Sequence, residues 1–293
     1  MRDFYAGTSP VPLDQADGLR RLFAARRGHL IALAANPHVA FGGVVLDRLA
    51  QVLAAGGREV LVVDAGAGAP APHELSRLDL AAGIERVARR VSYLPARGLP
   101  MAHVDTRGSA AGFLDALHDA APEADVLLVH ADAAELARML TRRAARPLLL
   151  GTDHPESVKH AYASAKLLAR RTGLATFDLL LVAAAQSPRI ARIAASLAGC
   201  LDGFLQALLC RWAHLDPADD TACEHTALAA LLDAQLALGG TAPAPVAGTA
   251  VPPAGRAGVA DRTRVAWQPA CPERARHVGT RTVTRTAAAP LHP

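Results

Sequence analysis

Seven short runs of almost uninterrupted apolar residues, separated by stretches with helical spacing, constrain this chain more than any other feature. They are HLIALAA at 29–35, EVLVVD at 59–64, VSYL at 91–94, DVLLVH at 125–130, RPLLLG at 146–151, FDLLLVA at 177–183 and ALLCRW at 207–212. A strand that is apolar on both faces must be covered on both faces, as happens in a parallel sheet between helical layers. Helical spacing appears near 44–55, 108–120, 132–143, 156–171 and 187–201. The alternation predicts an α/β fold, a mostly parallel sheet with helices on both faces. Ligands of such sheets sit beyond the carboxyl ends of the strands. A last helical stretch near 223–238 has no Lys or Arg, so it lacks the basic face of a membrane-surface helix and is expected to pack on the domain.

Composition narrows the functional classes. At 293 residues and 51% hydrophobic, the chain can bury a sizeable core. No signal-peptide pattern and no run near ~18 apolar residues is present, which predicts a cytoplasmic protein. The net charge of +4 belongs to one end: residues 241–293 hold seven arginines against Asp261 and Glu273, leaving the rest slightly acidic. That tail opens GGTAPAPVAGTAVPPAG, with little to pack, and is expected to be a disordered, solvated arm. It argues for no specific nucleic acid and for only indirect membrane contact. Three Tyr, two Trp and six Phe leave little aromatic surface for stacking bases. Cys200, Cys210, Cys223 and Cys271 show no metal-ligand spacing, and the twelve His residues fall in no ligand pattern, so no metal site is expected. GAG at 66–68 runs into Pro70 and Pro72, which spoils a dinucleotide-binding helix start, and no Gly-x-Ser-x-Gly elbow occurs.

The loop after the first apolar run is the natural place for a phosphate site. Such a loop needs free backbone N–H groups curled around the phosphate, a Lys to meet its charge and a Ser or Thr to hold Mg²⁺. This chain has Asn36, Pro37, His38, Val39, Ala40, Phe41, Gly42 and Gly43 there. Its only two lysines, Lys159 and Lys166, lie in the helical stretch at 156–171, so no shift of register puts one in the loop. An Arg does not reproduce a compact ammonium at the β- and γ-phosphates.

Ahead of the first run, Asp14 follows Pro10 and Pro12 and can cap a helix. Ala16, Leu19, Leu22 and Phe23 then share one face, with Arg20, Arg21, Arg26 and Arg27 supplying charge. Gly18 costs so short a helix about 1 kcal/mol relative to Ala, and the segment is expected to order on a partner. The residues alone leave two readings, a helix that covers this protein's own sheet and one that docks on another protein.

The heptapeptide DQADGLR, from Asp14 to Arg20, resembles the DQAxxLR motif of the MinD/FlhG (FleN) family, flagellar-number regulators among the deviant P-loop NTPases. HPESVKHAYASAKLL at 154–168 resembles that family's PExxxxxDAYxxxKxL helix, matching at Pro155, Glu156, Ala161, Tyr162 and Lys166, with His160 in place of the Asp. The likeness covers roughly residues 10–215. It implies a MinD-like body at 29–240, an N-terminal activator segment at 1–28 and a tail at 241–293. It also implies a partner, the flagellar GTPase FlhF, which the N-terminal helix docks on and stimulates. In that scheme Gln15 orders the GTPase's attacking water, Asp14 and Arg20 position it, and Leu19 and Phe23 anchor the helix; no catalytic residue of this chain's own is needed. Further partners would be flagellar regulators or basal-body proteins, with recruitment to the cell pole.

Aligned on Leu49 and Ala50, the family's GKGGVGKT falls on residues 36–43, and its four defining positions are Asn36, Phe41, Gly42 and Gly43 here. Pro37 stands where the family has its extra Lys. Asp64 matches the first Asp of the family's DxD, while Gly66 takes the place of the second. His130 replaces the Mg²⁺-linked Asp, and Ala183 replaces an Asn that reads adenine. The nucleotide site, comprising Asn36, Pro37, His38, Gly42, Gly43, Asp64, His130, Pro155 and Glu156, is therefore expected to be vestigial, with the family's cofactors ATP and Mg²⁺ lost. Two other readings stand beside this one: a working MinD-type ATPase with an unconventional loop, and a polar-positioning or cellulose-secretion relative that shares only the scaffold.

Overall fold

Among the described residues, the apolar runs form seven strands of one eight-stranded sheet in the order β3-β4-β2-β5-β1-β6-β7-β8. This computed structural model describes residues 28–40, 42–184, 186–218 and 222–239. The expectations for Asp14, Gln15, Leu19, Arg20 and Phe23, for Phe41 and for the tail at 241–293 lie outside the described residues. The strands are β1 (His29–Ala34), β2 (Val60–Asp64), β3 (Glu85–Ala88), β4 (Val91–Pro95), β5 (Val126–Ala131), β6 (Leu148–Thr152), β7 (Thr176–Val182) and β8 (Leu208–Leu215). All pair in parallel except β3 with β4. The helices are α1 (Gly42–Ala55), α2 (Leu99–Ala102), α3 (Ala111–Ala120), α4 (Ala133–Met139), α5 (Pro155–Thr172), α6 (Ile190–Leu205) and α7 (Ala222–Gly239).

Period-two alternation within each strand sends side chains into two separate cores. Leu61, Val63, Leu127, Val129, Leu149, Phe177 and Leu179 pack with α3, α4, α5 and α6. Val60, Val62, Val126, Leu128, Leu148, Leu150 and Leu180 pack with α1 and α7 on the other face. Both layers are needed because the central strands present apolar groups each way. The last helix does pack on the domain, burying Leu228, Leu231, Leu232 and Leu236. Among the described residues no helix is long and apolar enough to cross a membrane.

The ends of elements follow local chemistry. Helix α5 has His154 as N-cap, accepting from the Glu156 N–H, and Pro155 in its first turn, where a missing N–H costs nothing. It stops at Gly173, whose φ of 75° supplies the left-handed cap. Helix α4 is shorter than the 132–143 stretch suggests. Asp132 caps it, accepting from the N–H groups of Ala134 and Glu135, and the chain has already turned by Arg142 at φ 61°. Strand β3 was not anticipated because ERVA lacks an apolar face; it is an exposed edge folded back on β4 through Arg90 at φ 64°. Helix α2 and the two 3₁₀ turns at Glu74–Arg77 and Leu80–Gly83 were likewise not anticipated, being too short to show a period.

One polar cluster ties the layers together. Asp178 of β7 is fully buried and accepts from Gln235 Nε2 of α7 at 2.6 Å, with Arg146 Nε at 2.9 Å. The Arg146 N–H is close but poorly aimed, so this contact acts as an ion pair more than as a hydrogen bond.

Candidate functional site: a cavity over the central strands

Strand β1 lies between β5 and β6, yet the chain leaves it through α1 to reach β2 on the far side of β5. The crevice beyond the carboxyl ends of these strands is the switch point where α/β sheets bind ligands. A cavity of about 710 Å³ occupies it. Six of the nine expected site residues line it: Asn36, Pro37, Gly42, Gly43, Asp64 and His130. His38, Pro155 and Glu156 do not; Pro155 and Glu156 begin α5 with exposed side chains. Glu156 is held by Lys159 at 2.7 Å, and that bond lowers its carboxyl below the usual range.

The loop after β1 closes on itself. Asn36, 6% exposed, donates from Nδ2 to Leu150 O at 2.8 Å and to Ser157 O and Oγ at 3.0 Å each. Its Oδ1 accepts from the His38 N–H at 3.1 Å, and the Val39 N–H donates to Asn36 O at 3.0 Å. Pro37 has no N–H. The amides of residues 37–39 are thus consumed or missing, and they form no open nest for a phosphate. Gly42 and Gly43 open α1 into empty space, where a Cβ would meet nothing within 4 Å.

Asp64 is committed too. Its Oδ1 accepts from His130 Nδ1 at 2.8 Å and from the Gly66 N–H at 3.0 Å. Tyr93 Oη lies 3.5 Å from Oδ2, and burial together with the Asp64 charge pushes the phenol up to about 12. A Cβ on Gly66 would stand 2.8 Å from His130 Cε1 and 3.1 Å from Asp64 Oδ1. Gly66 and His130 are thus sterically linked, since the imidazole occupies the space a side chain at 66 would need. Gly66→Ala is expected to push the ring off Asp64 and to cost about 1–3 kcal/mol. Urea unfolding checks this; a loss under about 0.5 kcal/mol would show that the ring rotates away freely.

Sequence reasoning missed several cavity residues. Asp132 follows β5, His160 projects from the first turns of α5, and Tyr93 comes from β4. His38, His154 and His160 are also gathered at its rim: the His38 ring stacks on His154 with centroids 6.4 Å apart and meets His160 edge-on at 6.2 Å. Burial, then His38, lowers the His160 pKa, opposed by a bond to Ala35 and by Asp132. Only the contact between the β1 loop and α5 joins these histidines, and no spacing in the chain signals it. Among the described residues, no group of three or more His, Cys, Asp or Glu is arranged to hold a metal ion. Among the described residues lining the cavity, none is Lys or Arg.

No protein-family model matches the chain, and no curated protein matches it. Solved structures do. A putative plasmid partition protein of Borrelia burgdorferi bound to AMPPNP is 11% identical, with 71% of this chain and 99% of that one covered at a TM-score of 0.50. The cell division ATPase MinD of Pyrococcus furiosus is 15% identical, with 71% and 99% covered at 0.48. MinD of Aquifex aeolicus is 12% identical, with 74% and 99% covered at 0.46. At these identities the likeness is one of fold: the chain shares the α/β P-loop NTPase fold of the plasmid partition protein.

Proposed function

We propose that this chain is a MinD-like scaffold that has lost ATP turnover and regulates flagellar number or placement by docking its residues 14–23 on the GTPase FlhF and stimulating it. The observation that carries the loss of turnover is the β1 loop: its amides at 37–39 are spent or missing, and the cavity has no cationic side chain of Lys or Arg among its described lining residues. A triphosphate placed there would have its charge unmet. Asp64, which matches the first Asp of the family's DxD, is taken up by His130 rather than left for Mg²⁺. ATP-driven dimerisation, which in the family depends on the loop lysine, is lost with it.

The docking half rests on DQADGLR and its resemblance to the family motif. A neutral amide such as Gln15 can both donate to and accept from a nucleophilic water. The protein acts in the cytoplasm and reaches the pole with its partner. The test is the GTPase rate of FlhF with this protein, with its Gln15→Ala variant and with a peptide of residues 1–28, alongside calorimetry with Mg²⁺ and ATP. Stimulation by protein and peptide, absent in Gln15→Ala and unchanged by ATP, is the expected result. No stimulation, together with Mg²⁺-dependent ATP binding, would overturn the proposal in favour of an ATPase with an unconventional loop.

A further inference from the structure

The opposite end of the sheet carries a second opening. A groove of about 430 Å³ lies between the carboxyl end of α1 and the last turns of α7, walled by Val52, Leu53, Gly56, Leu232 and Leu236, with Arg58 and Asp233 at its rim. Ala55 and Gly56 are exposed and small, so a helix or an extended segment can approach the backbone closely.

The position of the groove relative to the chain says what fits it. Helix α1 packs against β2 and α7 against β1, and β5 lies between those two strands. The groove therefore sits over the amino ends of β5 and β1, next to Gly28 at the start of β1. Hydrogen bonds tie these ends together: the His29 N–H donates to Asp125 O at 2.7 Å, and the Asp125 N–H donates to Glu59 O at 2.8 Å, next to Arg58. His29 thus lies in the sheet beneath the groove, two strands from β2. The link from Phe23 to Gly28 spans up to about 17 Å when extended, long enough to rise from β1 into the helical layer.

The N-terminal segment has the matching chemistry. Ala16, Leu19, Leu22 and Phe23 supply an apolar face of the kind that fills a groove between helices, and Arg20 and Arg21 can meet Asp233 while Asp17 meets Arg58. The tail is the poorer occupant. It also leaves from α7, but residues 240–255 contain no Leu, Ile, Met or aromatic residue.

We propose that in the free protein the groove between α1 and α7 holds the chain's own residues 16–23 by their Ala16, Leu19, Leu22 and Phe23 face. The docked segment is then withheld from other proteins, and a partner that takes the same face must first draw it out. This last consequence rests on the proposed GTPase partner; the docking itself does not. Equilibrium competition of this kind lowers the apparent affinity for the partner by the fraction of chains in which the segment is free.

The test uses the full chain alone. A photoreactive benzoylphenylalanine replaces Phe23, and equal amounts of ¹⁴N- and ¹⁵N-labelled protein are mixed before irradiation and peptide mapping. The expected result is an adduct within one chain, joining position 23 to residues 52–58 or 229–236. Val52→benzoylphenylalanine should give the reciprocal adduct on residues 16–24. Ala55→Arg, a change at an exposed helix position, should abolish the adduct while leaving the circular dichroism melt in place. Adducts elsewhere on the chain, adducts only between differently labelled copies, or no adduct from either probe would each overturn the proposal. Neither FlhF nor nucleotide is present, so failure here leaves the GTPase assay free to stand or fall separately.

Discussion

Asp178→Ala is expected to lower the unfolding free energy by about 3–5 kcal/mol, the range for removing one partner of a buried ion pair. The carboxylate is fully buried in the middle of β7, where it holds Arg146 at the entrance to β6 and Gln235 on α7. Its loss strands a guanidinium whose side chain is only 13% exposed and an amide that still reaches the Arg146 carbonyl at 3.0 Å. It also leaves a void where the core is close-packed. Arg146 keeps one contact, from Nη2 to Ala234 O at 3.0 Å, so the effect stays within that range. Guanidinium unfolding monitored by circular dichroism measures it, and a loss below about 1 kcal/mol would show that the pair is structurally idle.

The same site carries a pH signature. Burial raises the Asp178 carboxyl above its ordinary value, partly offset by Arg146 and Gln235. The folded state therefore holds this proton more tightly than the unfolded state does. Its contribution to stability is largest below the unfolded value and declines as pH rises through the raised folded value. Asp178→Asn removes that slope while keeping the side-chain shape, which separates the charge from the packing.

Asn36→Ala is expected to cost about 2–3 kcal/mol, because it removes a buried donor from Leu150 O and Ser157 O and frees the His38 N–H. Ser157 Oγ would keep the Thr152 N–H at 2.9 Å, which limits the damage at the start of α5. The change should also loosen the turn at residues 36–39, seen as faster amide exchange at His38 and Val39. Asn36→Gly, the residue that the family resemblance would place there, should behave alike in stability and open the loop further. Unchanged exchange at both amides would mean that Pro37 alone shapes the turn. Neither variant should gain ATP binding, since opening the loop supplies no cation.

Seven of the eight strands, the six longer helices and the two-sided burial of the sheet follow from the sequence, because β5, β6 and β7 are apolar at consecutive positions and such segments have no stable place except between two layers. The absence of a lysine from the loop follows from counting alone, as both lysines fall in α5. What the residues of the loop after β1 do was decided only by the tertiary structure. Asn36 finds its acceptors at residues 150 and 157, more than a hundred positions away, and no local pattern encodes such a contact. The same holds for His130 filling the space above Gly66, for the meeting of His38 with His154 and His160, and for the pairing of Asp178 with Arg146 and Gln235. Periodicity reports which face of an element is buried; it does not report which distant polar group will be waiting there. For that reason the scaffold is written along the chain, whereas the chemistry of the cavity appears only once β1, β2, β5 and α5 are side by side.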